Sequence, residues 1–349
     1  MDKIKIQSLN IYKEDINSIL KQNCSWEKLK NKTILISGGT GLIGTYLVDM
    51  FLLLNDKFKL NLHLLIISRK TLCNNSEVIK FFQHDINEPF EIEERIDYII
   101  HAASNTHPIL YATEPVTTIT TNFIGTYNLL NLASKNLGCK FIFVSSVEIY
   151  GSDNLEKKNG FSEKDFGYID CNTLRAGYCE GKRASEALLQ AYYSQYNLDF
   201  VIARLCRCYG PTMKRDDTKA LSQFINNAIE GKNIVLKSDG TQFYSYIYAA
   251  DAASSIIYVL LNGDSTNAYN VSNKDSDITL KNLAELIASY ANVKVINDSP
   301  NEIEKQGFSK ATRAILDNKK ILDLGWKPFY GISIGIERTI KLLKEISNL

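Results

Sequence analysis

A strand, a glycine-rich turn and a helix follow one another between residues 33 and 52, and this succession constrains the fold most. The apolar, mostly β-branched run 33–36 predicts a buried strand, and Gly38, Gly41 and Gly44 follow it three residues apart. A helical spacing of apolar residues then begins at Leu47. The first glycine permits the turn, the second lets the backbone approach a pyrophosphate, and the third lets helix and strand pack closely. Because the first N–H groups of such a helix face phosphates, the segment predicts a dinucleotide site.

Strand and helix patterns alternate after this turn. Four apolar strand patterns occupy 62–67, 97–101, 140–145 and 199–205. The clearest helical patterns between them lie at 122–136 and 178–195. Repeated strand–helix units with continuously apolar strands predict a parallel sheet that is covered by helices on both faces. The predicted fold class is α/β, a Rossmann doubly wound parallel sheet with a smaller mixed α/β C-terminal substrate lobe.

Three parts of the chain can be distinguished from its patterns. Residues 1–30 form an N-terminal helical leader, which we expect to pack on the domain edge or to serve as a dimer element. The dinucleotide-binding domain is predicted at 31–205, with an addition at about 245–262. The substrate-binding lobe takes 206–244 and 263–349. Its helices are predicted at 219–230, 279–290 and 331–346.

Composition excludes several classes of function. With 349 residues and a formal net charge of +1, the chain lacks the basic footprint of a nucleic-acid-binding protein. Its apolar runs are too short to span a bilayer, and its N-terminus lacks the apolar core of a signal peptide. Seven cysteines without a CxxC pair predict reduced thiols in a cytoplasmic protein. Since no cluster has metal-ligand spacing, we expect no metal.

The catalytic signal is a tyrosine and a lysine four residues apart. Tyr178 and Lys182 share one face of a predicted helix, and a nearby ammonium favours the phenolate that accepts a proton. The strand 140–145 ends at Ser146. Because parallel sheets place their chemistry at the carboxyl ends of strands, Ser146 is expected to hydrogen-bond a substrate hydroxyl beside Tyr178.

The second strand decides the expected form of the dinucleotide. An NAD site usually has a carboxylate at this strand end, where it binds the ribose 2′-hydroxyl. Here the strand is followed by Ser68, Arg69 and Lys70. A hydroxyl and a guanidinium suit a 2′-phosphate, so we favour NADP over NAD. NAD remains the alternative, with Arg69 or Lys70 as ordinary exposed charges.

These motifs recur in one known family. The matching segments lie, in order along the chain, at 38–44, 84–86, 101–104, 122, 125–126, 145–151, 178–182, 204–211 and 324–328. On these segments the chain resembles an extended short-chain dehydrogenase/reductase of the nucleotide-sugar epimerase/dehydratase family. The resemblance implies a nucleotide-sugar or sugar-phosphate substrate and a homodimer that pairs through 122–136 and 178–195. Enzymes of this family often feed surface polysaccharide synthesis.

The resemblance also implies roles for particular residues. Tyr178 would be the general acid/base, Lys182 its electrostatic partner and a ribose ligand, and Ser146 the group that orients the reacting hydroxyl. Asp85 and Ile86 would flank the adenine. The cofactor-binding set is Gly38, Thr40, Gly41, Leu42, Ile43, Gly44, Ser68, Arg69, Asp85, Ile86, Ala102, Ala103, Ser104, Asn122, Tyr178 and Lys182.

Within the family, 178–211 looks most similar to the UDP-glucuronate decarboxylases. These enzymes carry a glutamate two residues after the catalytic serine or threonine, where this chain has Glu148. Glu148 would be a second base, or a structural carboxylate tied to the substrate lobe. The dehydratases of the family have an aspartate before that glutamate. Val147 stands there instead, which argues against ordinary dehydration.

The substrate pocket departs from the decarboxylases at three positions. Tyr244 replaces an arginine seven residues before Asp251, Arg207 replaces an asparagine, and Lys237 replaces an aromatic residue. Arg207 and Lys237 suit phosphoryl oxygens, although Lys237 equally suits an exposed surface. The predicted substrate-binding set is Ser146, Val147, Glu148, Arg207, Gln223, Lys237 and Tyr244.

Three functions follow from these residues. The favoured one is transient oxidation of a sugar hydroxyl to a keto-sugar, followed by epimerisation, decarboxylation or elimination and by return of the hydride. An NADPH-dependent reductase of a sugar or sugar-phosphate carbonyl is the first alternative. A non-catalytic dinucleotide-binding sensor or scaffold is the second, and the presence of Ser146, Tyr178 and Lys182 speaks against it.

Overall fold

The computed structural model describes residues 3–69, 75–106, 108–152, 160–300 and 311–347. Lys70, one of the two cations considered for the cofactor, lies outside these residues. The strands, in chain order, are β1 (Thr33–Ser37), β2 (His63–Ser68), β3 (Ile79–Gln83), β4 (Tyr98–His101), β5 (Lys140–Ser146), β6 (Asp199–Leu205), β7 (Arg207–Tyr209), β8 (Ile234–Leu236), β9 (Phe243–Tyr248), β10 (Ala268–Val271), β11 (Asp277–Thr279), β12 (Val295–Asn297) and β13 (Arg313–Ala314).

Helices of very different length connect these strands. The α-helices are α1 (Lys3–Ser8), α2 (Asn10–Asn17), α3 (Leu42–Phe58), α4 (Pro108–Thr113), α5 (Pro115–Ser134), α6 (Ala176–Tyr196), α7 (Ala220–Ile229), α8 (Ala249–Asn262), α9 (Leu280–Ala291), α10 (Lys319–Leu324) and α11 (Ile332–Ser347). Short 3-10 helices lie at Ser18–Lys21, Trp26–Leu29, Val147–Tyr150 and Lys274–Ser276. None of the helices described combines the length and apolar character needed to span a membrane.

The predicted parallel sheet is confirmed, and it has seven strands. Their order is β10-β6-β5-β4-β1-β2-β3, and each neighbouring pair runs parallel. Alternate residues of each strand enter two separate cores. In β1, Ile34 and Ile36 join the core that contains α3 and α8, whereas Leu35 joins the core that contains α5 and α6. The sheet is therefore covered by helices on both faces, as in a doubly wound fold.

The smaller lobe is built around β9. This strand pairs in parallel with β7 and β13 and antiparallel with β11. A separate parallel pair joins β8 and β12. Helices α7, α9 and α11 pack around these strands. The lobe thus has the mixed α/β character that the sequence indicates.

The structure corrects three sequence-based boundaries. Strand β10 belongs to the large sheet, although 263–349 was assigned entirely to the lobe. Strand β3 has no counterpart among the predicted strands, because it is a half-exposed edge strand without a continuous apolar run. Helix α5 starts at Pro115 instead of 122, since its first turns are rich in threonine, which is a weak helix former. A proline in the first turn fits a helix start.

The described part of the leader, residues 3–30, packs against α3, α8 and α11. Its central polar contact is Asp15, which is completely buried. The Asp15 carboxylate accepts hydrogen bonds from Arg338 Nε at 2.7 Å, from Tyr46 Oη at 3.0 Å and from Tyr248 Oη. Burial raises the pKa of Asp15, and these donors oppose that change. One carboxylate therefore joins the leader to both parts of the molecule.

Replacing Asp15 tests this role, and Glu14 provides a matched control. Both carboxylates pair with Arg338, but the Glu14 side chain is 65% exposed and that of Asp15 is 0% exposed. We expect Asp15→Asn to lower the free energy of unfolding by about 3 kcal/mol, because it breaks a buried ion pair. Glu14→Gln should cost at most about 1 kcal/mol. Urea unfolding measures both, and equal losses would contradict the role of Asp15.

Candidate functional site

The candidate residues gather at one edge of the large sheet. Strands β1, β2, β4 and β5 end at Ser37, Ser68, His101 and Ser146, and because they are parallel these ends share an edge. The order of the strands reverses between β1 and β4, and open α/β sheets bind ligands in the crevice at such a switch point.

The glycine turn has the close packing that its sequence indicates. Gly38 has φ +76°, and a Cβ there would lie 2.7 Å from Ala103 N. A Cβ on Gly44 would lie 2.0 Å from Gly38 O, so helix and turn can approach only without a side chain. Helix α3 starts after Gly41, which gives no side-chain cap to its first N–H groups. These N–H groups are available to an anion at the start of the helix.

Polar groups from β2 stand next to this turn. Thr40 Oγ1 and Ser68 Oγ are 3.4 Å apart. Arg69 follows directly and is exposed. Leu42 and Ile43 are half-buried in the first turn of α3. The structure therefore brings the predicted phosphate-binding and ribose-binding residues to one end of α3.

The residues predicted to flank the adenine lie after β3. Ile86 is buried, and its carbonyl accepts a hydrogen bond from Asn128 Nδ2 at 2.8 Å. A Cβ on Gly125 would lie 2.6 Å from Ile86 Cδ1, so α5 approaches this segment closely. Asp85 Oδ1 accepts a hydrogen bond from Asn87 N at 3.0 Å. Asp85 and Ile86 are thus fixed between β3 and α5.

The segment after β4 forms the opposite wall of the crevice. Ala102 and Ala103 lie against the glycine turn, and Ser104 Oγ donates to Asn122 Oδ1 at 2.8 Å. The next residue, Asn105, was missed by the sequence analysis. It is buried, and its Nδ2 has no hydrogen-bond partner among the residues that the structure describes. A dinucleotide or substrate oxygen would satisfy this donor.

Ser146, Tyr178 and Lys182 converge beyond the end of β5. The Ser146 side chain lies close enough to Tyr178 for its hydroxyl to stabilise the phenolate form. Lys182 Nζ donates to Val144 O at 2.8 Å and lies 4.5 Å from the centre of the Phe143 ring. Helix α6 therefore places both side chains on the face that covers β5, as their spacing of four residues requires.

Burial changes the acid–base properties of this group. It raises the pKa of Tyr178 above its ordinary value, and the Ser146 hydroxyl opposes this effect. Burial also lowers the pKa of Lys182 to about 7, against the opposing charge of Glu186. The sequence analysis expected the ammonium to favour the phenolate. That expectation is wrong for these residues by themselves, because burial disfavours both charged forms.

A buried ion pair holds α6 against the sheet. Arg204 on β6 donates from Nη2 to Glu186 Oε2 at 2.6 Å and from Nη1 to Tyr150 Oη at 2.9 Å. Glu186 also accepts from Ser145 Oγ at 2.6 Å. Since Glu186 lies one helical turn beyond Lys182, this contact sets the position of Tyr178 and Lys182 over β5.

Glu148 is clamped between two guanidinium groups. Arg175 Nη2 donates to its Oε2 at 2.8 Å, and Arg207 Nη2 donates to its Oε1 at 3.2 Å. Burial acts to raise the pKa of Glu148, but the two cations outweigh burial and the pKa is lowered. A carboxylate with a lowered pKa and two engaged oxygens is a weak base. The geometry favours the structural carboxylate over the second base.

The remaining substrate candidates are more dispersed. Val147 is buried in the first turn after β5. Tyr244 on β9 lies under the Arg207 guanidinium and donates from Oη to Ala311 O at 2.7 Å. Gln223 lies on α7, where Nε2 donates to Thr218 O at 2.7 Å. Lys237 directly follows β8. The assignment of the substrate to Gln223 and Lys237 stays a prediction.

Two further residues of the cluster escaped the sequence analysis. The Tyr111 ring lies 5.1 Å from the Tyr178 ring, with 30° between their planes. Arg175 lies 5.4 Å from the Tyr111 ring and binds Glu148. Arg175 stands three residues before Tyr178. One helical turn of separation was the only signal in the sequence that related it to the site.

The residues present fit a dinucleotide. The site combines an uncapped helix start, a turn that excludes side chains, and a buried unpartnered donor at Asn105. The residues that would hold the dinucleotide are the predicted set at the glycine turn, the ends of β2, β3 and β4, and Lys182. Each of these features favours a phosphate-bearing ligand with polar groups along its length.

Comparison with known sequences places this arrangement in one family. The profile of the NAD dependent epimerase/dehydratase family matches residues 34–272. UDP-glucuronic acid decarboxylase 5 of Arabidopsis thaliana is 33% identical over 319 residues, which cover 88% of this chain and 87% of the relative. UDP-glucuronic acid decarboxylase 1 of Danio rerio is 28% identical over 315 residues, or 89% of this chain and 72% of the relative.

Solved structures share the fold. The dTDP-glucose 4,6-dehydratase DesIV of Streptomyces venezuelae, solved with NAD, has a TM-score of 0.77 and 23% identity, with coverage of 90% of this chain and 98% of that chain. A UDP-glucose 4-epimerase of Thermotoga maritima, solved with UDP-glucose, has a TM-score of 0.76 and 19% identity. The match covers 90% of this chain and 99% of that epimerase.

The lowered pKa of Lys182 predicts a specific pH dependence of stability. As the pH rises above 7 the native lysine loses its proton, while the unfolded lysine stays protonated to about pH 10. The unfolded chain therefore binds more protons, and this residue makes the free energy of unfolding rise with pH. Relative to Lys182→Met, wild type should gain up to about 1.4 kcal/mol per pH unit between pH 7 and 9. Urea unfolding of both proteins measures this gain, and a constant difference would contradict it.

Proposed function

This chain belongs to the NAD dependent epimerase/dehydratase family, and we propose that it modifies a nucleotide-activated sugar through transient oxidation to a keto-sugar. The observation that carries the proposal is the convergence of Ser146, Tyr178 and Lys182 at the end of β5, beside the glycine turn. The sequence relatives are named as decarboxylases of UDP-glucuronic acid, which supports a nucleotide sugar as the substrate class.

Each residue of this group has a separate task in the proposed reaction. Tyr178 Oη accepts the proton of a sugar hydroxyl, and Ser146 Oγ holds the oxygen of that hydroxyl. Lys182 positions the ribose and adds positive charge next to Tyr178 when it is protonated. A bound oxidised nicotinamide dinucleotide would supply a hydride acceptor and a positive ring. Tyr178 later returns the proton, so the residues finish in their starting state.

The ketone explains how one site serves several outcomes. A carbonyl acidifies the neighbouring carbon, and it stabilises the carbanion that loss of CO2 leaves or that deprotonation forms before elimination. Glu148, held as an anion by Arg175 and Arg207, contributes to the shape and charge of the pocket. We place the proton transfers of the first and last steps on Tyr178 alone.

A reductase remains the second candidate function. The end of β2 has Ser68 and Arg69 and no carboxylate, which suits an exchangeable NADPH. Net consumption of added NADPH with a sugar carbonyl substrate would identify this reaction, whereas the keto-sugar route leaves the total of reduced cofactor unchanged.

Tyr178→Phe tests the catalytic assignment. The variant keeps the ring and its stacking on Tyr111 but lacks the hydroxyl that exchanges the proton. We expect turnover to fall at least about 100-fold, because a positioned general acid/base contributes on that scale. Dinucleotide affinity, measured by fluorescence titration, should change less than about threefold. A variant that retains turnover would contradict the assignment, and loss of both properties would indicate a folding defect.

We also propose that NADP is the preferred dinucleotide. The support is Ser68 and the exposed Arg69 beside Thr40, which suit a 2′-phosphate. Arg69→Ala should weaken NADP binding about tenfold or more and leave NAD binding nearly unchanged. Lys57→Ala, an exposed cation in the last turn of α3, is the control. Calorimetry with both dinucleotides measures the difference, and an equal effect on both would contradict the proposal.

A homodimer is proposed from an exposed apolar face. Val116, Ile119, Phe123 and Tyr127 recur on one side of α5, and their exposure ranges from 40% to 72%. Tyr193 and Tyr196 on α6 are also exposed. An apolar stripe of this kind marks an association surface, and the family resemblance favours a second copy as the occupant.

Substitution within the stripe tests the dimer. We expect twice the chain mass of 39.4 kDa for wild type and a single chain mass for Phe123→Asp, measured by light scattering. Ile334→Asp is the control, since Ile334 is 50% exposed and lies on α11, which packs against the leader, α7 and α9. A monomeric wild type, or a dimeric Phe123→Asp protein, would contradict the proposed interface.

We place the protein in the cytoplasm and its product in surface polysaccharide synthesis. The cysteines that the structure describes are free thiols, which fits a reducing compartment. The pathway assignment rests on analogy with the family. Fractionation of the source cells tests the compartment, and the polysaccharide composition of a deletion strain tests the pathway.

A further inference from the structure

Two contacts within the protein, one with an aromatic ring and one with a carboxylate, hold the Arg207 side chain in place. Its guanidinium carbon lies 3.5 Å from the centre of the Tyr244 ring. Its Nη2 donates to Glu148 Oε1 at 3.2 Å. Strands β7 and β9 are paired neighbours, so the arginine and its aromatic platform sit on one sheet. A stacked and hydrogen-bonded guanidinium loses little further freedom when it binds a ligand.

One nitrogen of this guanidinium, Nη1, has no acceptor for its hydrogen bonds among the described residues. This nitrogen is also buried. A buried donor without an acceptor costs about 1–3 kcal/mol, and more when the group is charged. A ligand that places an oxygen at Nη1 recovers this energy. The atom therefore points to a ligand contact that the protein itself does not make.

The charges around Arg207 indicate which kind of ligand oxygen would bind at Nη1. Arg175 and Arg207 both bind the Glu148 carboxylate, and each of its two oxygens already accepts one of these donors. The three side chains therefore carry a net positive charge in a mostly buried place. A charged acceptor gives a stronger hydrogen bond to guanidinium than a neutral one. An anionic oxygen is the best match.

The position of Arg207 relates this oxygen to the reacting sugar. Glu148 N donates to Ser146 Oγ at 3.2 Å, and the Glu148 side chain reaches Arg207. One residue thus links the hydroxyl that would hold the reacting oxygen with the unpartnered guanidinium. A ligand oxygen at Nη1 would therefore lie near a sugar that meets Ser146.

We propose that Arg207 Nη1 binds an anionic oxygen of the substrate and makes the enzyme select substrates by that charge. This inference rests on the proposed function, since it assumes that the sugar meets Ser146 and Tyr178. Glu148 and Tyr244 are positioning residues for the guanidinium. Two groups of a nucleotide sugar offer such an oxygen, a carboxylate on the sugar and the diphosphate.

Calorimetry with three probes separates these sources. UDP-glucuronate and UDP-glucose differ only in the carboxylate, and UDP lacks the sugar. We expect Arg207→Gln to weaken at least one probe tenfold or more. A loss confined to UDP-glucuronate assigns Nη1 to the carboxylate, whereas equal losses for all three assign it to the diphosphate. Arg313→Gln is the control, because Arg313 stacks on Phe243 of the same strand β9. It should bind all three like wild type.

Two further results keep the inference falsifiable. Arg207→Lys retains the charge without the planar fork, so its affinity should lie between those of wild type and Arg207→Gln, with thermal melting as the check on folding. If Arg207→Gln binds all probes like wild type, the inference is wrong while the proposed function stands. If wild type binds none of the uridine probes and none of their thymidine counterparts, the proposed function fails and the inference fails with it.

Discussion

The packing of α6 on β5 is the contact on which the candidate site depends. Arg204, Glu186 and Ser145 join the helix and two strands through buried, charge-assisted hydrogen bonds. Removing one member of such a group would leave a buried charge without its partner, which is strongly destabilising. Because Lys182 and Glu186 are one turn apart on the same helix, the ion pair that stabilises the fold also positions the reactive side chains.

Burial then gives this site its chemistry and its dependence on a ligand. The surroundings of Tyr178 and Lys182 disfavour a phenolate and an ammonium alike. The described residues by themselves therefore hold Tyr178 as a neutral donor. An oxidised dinucleotide would add positive charge in the same crevice, and a positive charge lowers the pKa of a phenol. In the proposed mechanism, proton transfer would thus depend on the presence of the cofactor.

The sequence predicted those features that repeat along the chain or lie close together in it. The glycine turn at 38–44 and five strands of the large sheet have strong local patterns, and the structure confirms the sheet that they build. Strand β10 was assigned to the wrong part of the molecule. It has only four residues, and so short a segment gives no indication in the sequence that it pairs with β6. Strand β3 was missed because an edge strand faces solvent and loses its apolar run.

Contacts between residues that are distant in the sequence limited how much of the candidate site could be predicted. Ser146, Tyr178 and Lys182 were identifiable because short spacings place them on a strand end and on one helix face. Glu148 and Arg207 are 59 residues apart in the sequence, so no local sequence pattern predicts their contact. The pKa of Lys182 could not be predicted either, since burial by the whole domain lowers it. The sequence thus identified the candidate catalytic residues, whereas their environment followed only from the tertiary structure.

Identification of the dinucleotide that accompanies the purified protein tests the central claim most directly. Denaturation, extraction and mass spectrometry, with absorbance for quantity, give its identity and stoichiometry. The account predicts about one oxidised dinucleotide for each chain, because a redox-neutral reaction regenerates and retains it. Protein that is empty and consumes added NADPH in proportion to product would contradict a redox-neutral mechanism and identify a reductase.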